Sequence, residues 1–327
     1  MIKFFSKSYF SRYAWLLALV VLCWLPQFIH PGNVTGYQSF IFSGIQSALN
    51  QVPYISVILT FLVYVFSIFF INVISIEHHI SGKVNTLPIL MYILYTATSS
   101  MFFVSNSFIW IGLILLFMLR YCFSLYQSES SIKNAFNAGF LLGVASYFYP
   151  PLVYLFLLIW LALMLHRVNT WRAYVSSLLG LLAPLAFLLI WFFLTDQFIS
   201  STTALLSELV PVFILKVDAS WPELVVFTLM ILLGVIFSVQ LSSSLSEKSI
   251  NLRRNLFITL LFFYILIAII IFYNKMTLAW MLPGIPLAII TAHQLVLVKK
   301  PKWINIFLIL VVLFVIGNHL MMLLNVN

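Results

Sequence analysis

The chain has 327 residues, 64% of them hydrophobic and only 7% charged. A water-soluble domain carries about 25% charged residues to coat its surface, so a soluble globular fold is excluded. The net charge of +9 does not point to nucleic acid, because no basic cluster interleaved with aromatics lies outside the apolar blocks. Cys23 and Cys122 both fall inside apolar segments and read as small buried hydrophobes, with neither a disulfide framework nor a metal site.

Apolar blocks of roughly twenty residues, each enough to cross about 30 Å of hydrocarbon, follow one another from end to end. The first, at 13–30, comes after Lys3, Lys7 and Arg12. It is followed by Trp24, Pro26 and His30 with no small-x-small cleavage site, so it reads as an uncleaved first span. Further spans are expected at 52–76, 86–104, 107–126, 135–149, 151–166, 172–194, 222–241, 255–273, 277–298 and 303–323. Alternate loops then hold fourteen of the sixteen basic residues, all but Lys216 and Lys275. That alternation supports an all-α bundle of about eleven spans with a cytoplasmic N-terminus, forming a single transmembrane domain over 1–327. Pro150-Pro151 breaks the helix between two of these segments. A single kinked helix there would reverse every downstream loop, so a hairpin turning near the outer surface is expected.

Two outer loops have substance. In the first, His30 to Gln51, Ile41, Ile45, Ala48, Leu49 and Val52 recur at helical spacing opposite Ser39, Ser43, Gln46, Ser47 and Asn50, the pattern of an interfacial amphipathic helix. The second, Thr195 to Trp221, contains Asp196, Glu208, Lys216 and Asp218, with Glu223 just beyond. Its apolar middle (Leu205, Leu206, Leu209, Val210, Val212, Phe213) is expected to pack back on the bundle.

Chemistry-bearing motifs are few. His78 and His79 are adjacent, so they point about 100° apart on a helix and do not share a face as an i, i+4 metal pair does; with His166 they read as polar helix ends. His319 lies well inside the last span, where an ionisable residue is either functional or hydrogen-bonded to a neighbouring helix. Gly139 and Gly143, one turn apart, are spaced for close helix packing. By elimination the outer acids Asp196, Asp218 and Glu208 are the catalytic candidates, able to serve as general base or to hold an ion on a phosphate. Lys275 and Lys216 are the candidates for contact with a lipid phosphate. No metal site is expected, and no cofactor is indicated.

The stretch Ala138-Gly139-Phe140-Leu141-Leu142-Gly143 up to Tyr149-Pro150-Pro151, after a cytoplasmic N-terminus and an interfacial helix, resembles the GT-C membrane glycosyltransferases. That resemblance implies a polyprenyl-phosphate-linked sugar donor used at the outer face of the membrane. Such enzymes usually place an acid in the first outer loop, and His30 to Gln51 has none. The chain is also similar to a family of bacterial polytopic membrane proteins classed as a domain of unknown function. That likeness runs through Gly139 to Asp196 with Trp171-Arg172 and Pro184, through Arg253-Arg254-Asn255, and through Lys299-Lys300-Pro301-Lys302-Trp303. The expectation is an inner-membrane protein that touches membrane lipid and serves as a non-catalytic envelope or assembly component on a GT-C-like scaffold. The alternative is a GT-C-like glycosyltransferase.

Overall fold

The structure is a computed structural model. It describes the chain apart from residues 7–8, 33–45, 48, 81–84, 99, 126–130, 212–219, 274–276, 299–301 and 326–327, and apart from the side chains of 3, 100–101, 277 and 322–325. The described residues are helical throughout: α1 (Ile2–Phe5), α2 (Phe10–Ile29), α3 (Pro53–Glu77), α4 (Leu87–Ala97), α5 (Ser107–Phe123), α6 (Ser131–Phe148), α7 (Phe156–Leu165), α8 (Trp171–Leu194), α9 (Phe198–Glu208), α10 (Trp221–Ser244), α11 (Ile250–Phe272), α12 (Gly284–Leu297) and α13 (Lys302–Asn325). Short 3-10 turns at Ser100–Phe103, Pro150–Leu155 and Thr277–Met281 extend α4, α7 and α12. Seven helices among the described residues are long and apolar enough to cross a bilayer, and the chain is a multi-pass membrane protein. Phe187, Phe193 and Leu194 on α8 are about 70% exposed, a surface suited to lipid rather than water.

Side-chain contacts sort the loops into two sets. At one end Ile2 N donates to Asn305 Oδ1 (2.8 Å) and Thr86 N to the Phe5 carbonyl (3.0 Å). There too Arg120 pairs with Glu77 (2.9 Å), Asn134 Nδ2 donates to the Ser124 carbonyl and Ser176 Oγ to that of Ile132. At the other end Ser56 Oγ lies 2.7 Å from Ser105 Oγ, Tyr149 Oη donates to the Tyr273 carbonyl (2.6 Å), Tyr154 Oη donates to that of Leu209 (3.2 Å), and Asn318 Nδ2 donates to Glu223 (2.6 Å). All six arginines of the sequence stand at or next to the first end.

The expected hairpin at Pro150-Pro151 is present: α6 stops at Phe148, a 3-10 turn carries the two prolines, and α7 returns toward the arginine-bearing end. Behind it α6 and α8 meet backbone to backbone. A Cβ on Gly139 would fall 2.1 Å from the Ser177 carbonyl oxygen, one on Gly180 2.2 Å from that of Phe136, and one on Gly143 2.7 Å from that of Leu181. The glycine spacing therefore serves packing, and Gly180 completes it from α8.

Three helices end in the same way. His79, Arg167 and Asp196 adopt φ of 51°, 56° and 54°. In each case the next amide reaches back across the last turn: Ile80 N to the Ser75 carbonyl, Val168 N to that of Leu163, and Gln197 N to that of Phe192. This closure usually takes glycine, since a side chain in the left-handed region costs about 1–2 kcal/mol. Histidine and aspartate tolerate it better than most; arginine has no such advantage.

Candidate functional site

The most unusual chemistry lies at the end away from the arginines. Here α4 stops early and the turn Ser100–Phe103 pushes two phenylalanines among the ends of α2, α3, α10 and α13. Phe103 separates two buried polar rings: Trp24, with centroids 5.9 Å apart, and His319, at 5.3 Å and 76°. Phe102 stacks edgewise on Phe227, which in turn meets Trp280. Trp24 and His319 are at most 1% exposed, and among the described residues Trp24 Nε1 and Trp280 Nε1 have no hydrogen-bond partner. Each polar group left dry and unpaired costs about 1–3 kcal/mol. His319 meets the backbone at Ala97 on α4, in line with the expected contact to a neighbouring helix, and the carboxylate of Glu223 lies nearby.

Glu223 is itself buried, in the first turn of α10. One carboxylate oxygen accepts from Ser220 N (3.2 Å), the acidic half of a capping box, and the other from Asn318 Nδ2 (2.6 Å). It thus ties the start of α10 to α13. Beside this group Ser105 bridges Ser56 and Thr60 (2.7 and 2.9 Å), and Tyr64 shares a hydrogen bond with Thr96. The centre is a closed aromatic frame around buried indole and imidazole groups.

The residues singled out in sequence scatter differently. Asp196 is exposed and forms the left-handed closing residue of α8. Glu208 is the last residue of α9, half-buried, where a negative charge opposes the helix dipole. Asp218, Lys216 and Lys275 lie outside the described residues, as do Val212, Phe213 and most of the interfacial helix before Gln46. Among the described residues no group of three or more His, Cys, Asp or Glu could hold a metal.

The described part of the Thr195–Trp221 segment packs back through Leu205, Leu206 and Leu209, while Val210 is 56% exposed. Leu205, Leu206 and Leu209 face Leu185, Leu188 and Leu189 across an apolar groove of about 310 Å³ beside Pro150, which also receives Ser146, Tyr147 and Thr202. At the opposite end His78 closes α3 against the ring of Phe123, and burial lowers its pKa, with Arg120 acting the same way and Glu77 opposing. Cys23 and Cys122 are buried free thiols, in line with the reading as hydrophobes.

The Glu223–Asn318 tie and the environment of His319 were not legible as a site, because α10 and α13 are nearly a hundred residues apart in the chain. The signal was present in part: Ser220 followed three residues later by Glu223 is a capping-box spacing. No curated protein and no solved structure matches the chain. The stretches that suggested a shared family, from the Gly139 helix through Arg253-Arg254-Asn255 to the last span, all lie inside one continuous match over residues 37–324, and the chain belongs to that family, the family of unknown function DUF6427.

Proposed function

We propose that this chain is a non-catalytic component of the bacterial envelope, a single transmembrane domain in the inner membrane on a GT-C-like scaffold. It crosses the membrane eleven times, with the N-terminus and the arginine-bearing end in the cytoplasm. Eleven helical segments coincide with the eleven apolar blocks, and the alternation of loop contacts between two ends supports that topology. The observation that carries the functional reading is the structural use of Glu223, the buried acid at this end. Both oxygens of Glu223 are taken by the Ser220 amide and Asn318, while Asp196 closes α8 through its backbone with its side chain exposed. Glu223 thus serves the architecture that holds the buried aromatic centre together, as expected of a structural component. Complementation of a deletion strain tests this. An Asp196→Asn/Glu208→Gln/Asp218→Asn chain made at normal levels should complement fully, and loss of complementation would contradict the reading.

A second reading is favoured by one specific feature, the groove beneath α9. Its apolar walls suit an isoprenyl chain, and Glu208 stands next to the lining residue Leu209. On this reading the protein is a GT-C-like glycosyltransferase with a polyprenyl-phosphate-linked donor, Glu208, Asp196 or Asp218 as base, and Lys275 or Lys216 on the phosphate. Native mass spectrometry of the purified chain distinguishes the two. A polyprenyl phosphate retained by the wild type and lost from Lys275→Ala supports the enzyme; bulk phospholipid alone, unchanged by that substitution, supports the envelope component.

A further inference from the structure

A second cavity, at the arginine-bearing end, belongs to neither reading. It has a volume of about 400 Å³ and lies where the end of α7 meets the start of α11. Arg167, Arg253 and Arg254 line it, with Met164, Leu165 and Phe257 among its apolar walls. None of the described lining residues is acidic; the nearest acid in sequence, Glu247, does not line it. Local structure does not favour this arrangement. Arg167 sits at the left-handed position that usually takes glycine. Arg253 and Arg254 stand at the beginning of α11, where the helix dipole disfavours cations and no acid in the first turn offsets them. Three cations are thus held together in an open cavity against both backbone and dipole preference, with hydrocarbon on one wall.

We infer that this cavity binds the phosphate headgroup of an anionic phospholipid from the cytoplasmic leaflet, the arginines clasping the phosphate and the apolar wall taking the first acyl carbons. Guanidinium groups pair with phosphate through two parallel hydrogen bonds, which suits a fixed headgroup better than a diffuse surface charge. A free phosphate ion shares the chemistry but makes no use of Met164, Leu165 and Phe257.

The test is native mass spectrometry of the full chain in mild detergent, offered equal amounts of phosphatidylglycerol and phosphatidylcholine. The wild type should retain phosphatidylglycerol in excess. Arg253→Gln/Arg254→Gln should reduce that excess by about fivefold for each arginine removed. Arg167→Gly should reduce it likewise while leaving the melting temperature unchanged or higher, because glycine relieves the left-handed residue; that variant guards against loss of fold in the double substitution. Millimolar inorganic phosphate should leave retention unchanged. Equal retention of the two lipids, variants that bind as the wild type does, or displacement of the lipid by inorganic phosphate would each overturn the assignment.

Discussion

Replacing Gly139 by alanine isolates the contact that holds α6 to α8. The added Cβ would stand 2.1 Å from the Ser177 carbonyl oxygen, 3.0 Å from Leu181 N and 3.1 Å from the Ser177 carbonyl carbon. All three are backbone atoms, so no rotamer change relieves the clash and the helices must separate by about 1 Å along the crossing. Overpacking of this kind costs about 1–3 kcal/mol, and the upper part of that range applies because the obstacle is main chain. Alanine returns up to about 1 kcal/mol of helix propensity, leaving a net loss of about 1–2 kcal/mol. Gly317 on α13 is the internal control, because a Cβ there meets nothing within 4 Å. Thermal melting in mild detergent, followed by exposure of the buried Cys122 thiol, should show Gly139→Ala melting lower and Gly317→Ala unchanged or higher. Equal melting of Gly139→Ala and the wild type would refute the backbone contact between α6 and α8.

Three further outcomes follow from the same structure. Glu223→Ala removes an amide partner and the tie to Asn318, and should destabilise by about 1–3 kcal/mol in the same melt. His319→Phe removes the contact of the imidazole with the backbone at Ala97, so the protein should melt lower, by about 1 kcal/mol; an unchanged melt would show that the imidazole has no partner there. Burial lowers the pKa of His78 from 6.5, so below that pH the unfolded chain binds more protons than the folded one. The contribution of this residue is therefore fully present above pH 6.5 and declines as pH falls, and His78→Phe should flatten the decline in melting temperature between neutral and mildly acidic buffer.

What could be read from the sequence, and what could not, divides along physical lines. Helix positions were legible because each depends on a local run of apolar residues, and the Pro150-Pro151 reversal because proline acts on its own neighbourhood. Gly139 and Gly143 announced their packing by spacing, but Gly180, the partner that makes the contact mutual, has no such neighbour and emerges only when α8 is laid against α6. Asp196 looked like chemistry because a lone acid at a helix end is conspicuous. Its left-handed closing role depends on the Gln197 to Phe192 hydrogen bond, which composition does not reveal. Glu223 and His319 are long-range in the same sense: each is an ordinary residue in sequence, and the Asn318 contact and the Phe103 ring give them meaning. The arginine cavity joins residues 167 and 253–254, which in sequence bear only on topology and family likeness.

Both functional readings place the segment around Asp196 and Glu208 on the outer face of the inner membrane and the arginines in the cytoplasm, so accessibility mapping tests the account most directly. With Cys23 and Cys122 buried, single cysteines at Asp196 and Arg172 can be probed in intact cells with a membrane-impermeant maleimide. The account predicts labelling of Asp196→Cys in intact cells, and of Arg172→Cys only after permeabilisation. The reverse pattern, or labelling of both from outside, would contradict the topology and with it the outer site.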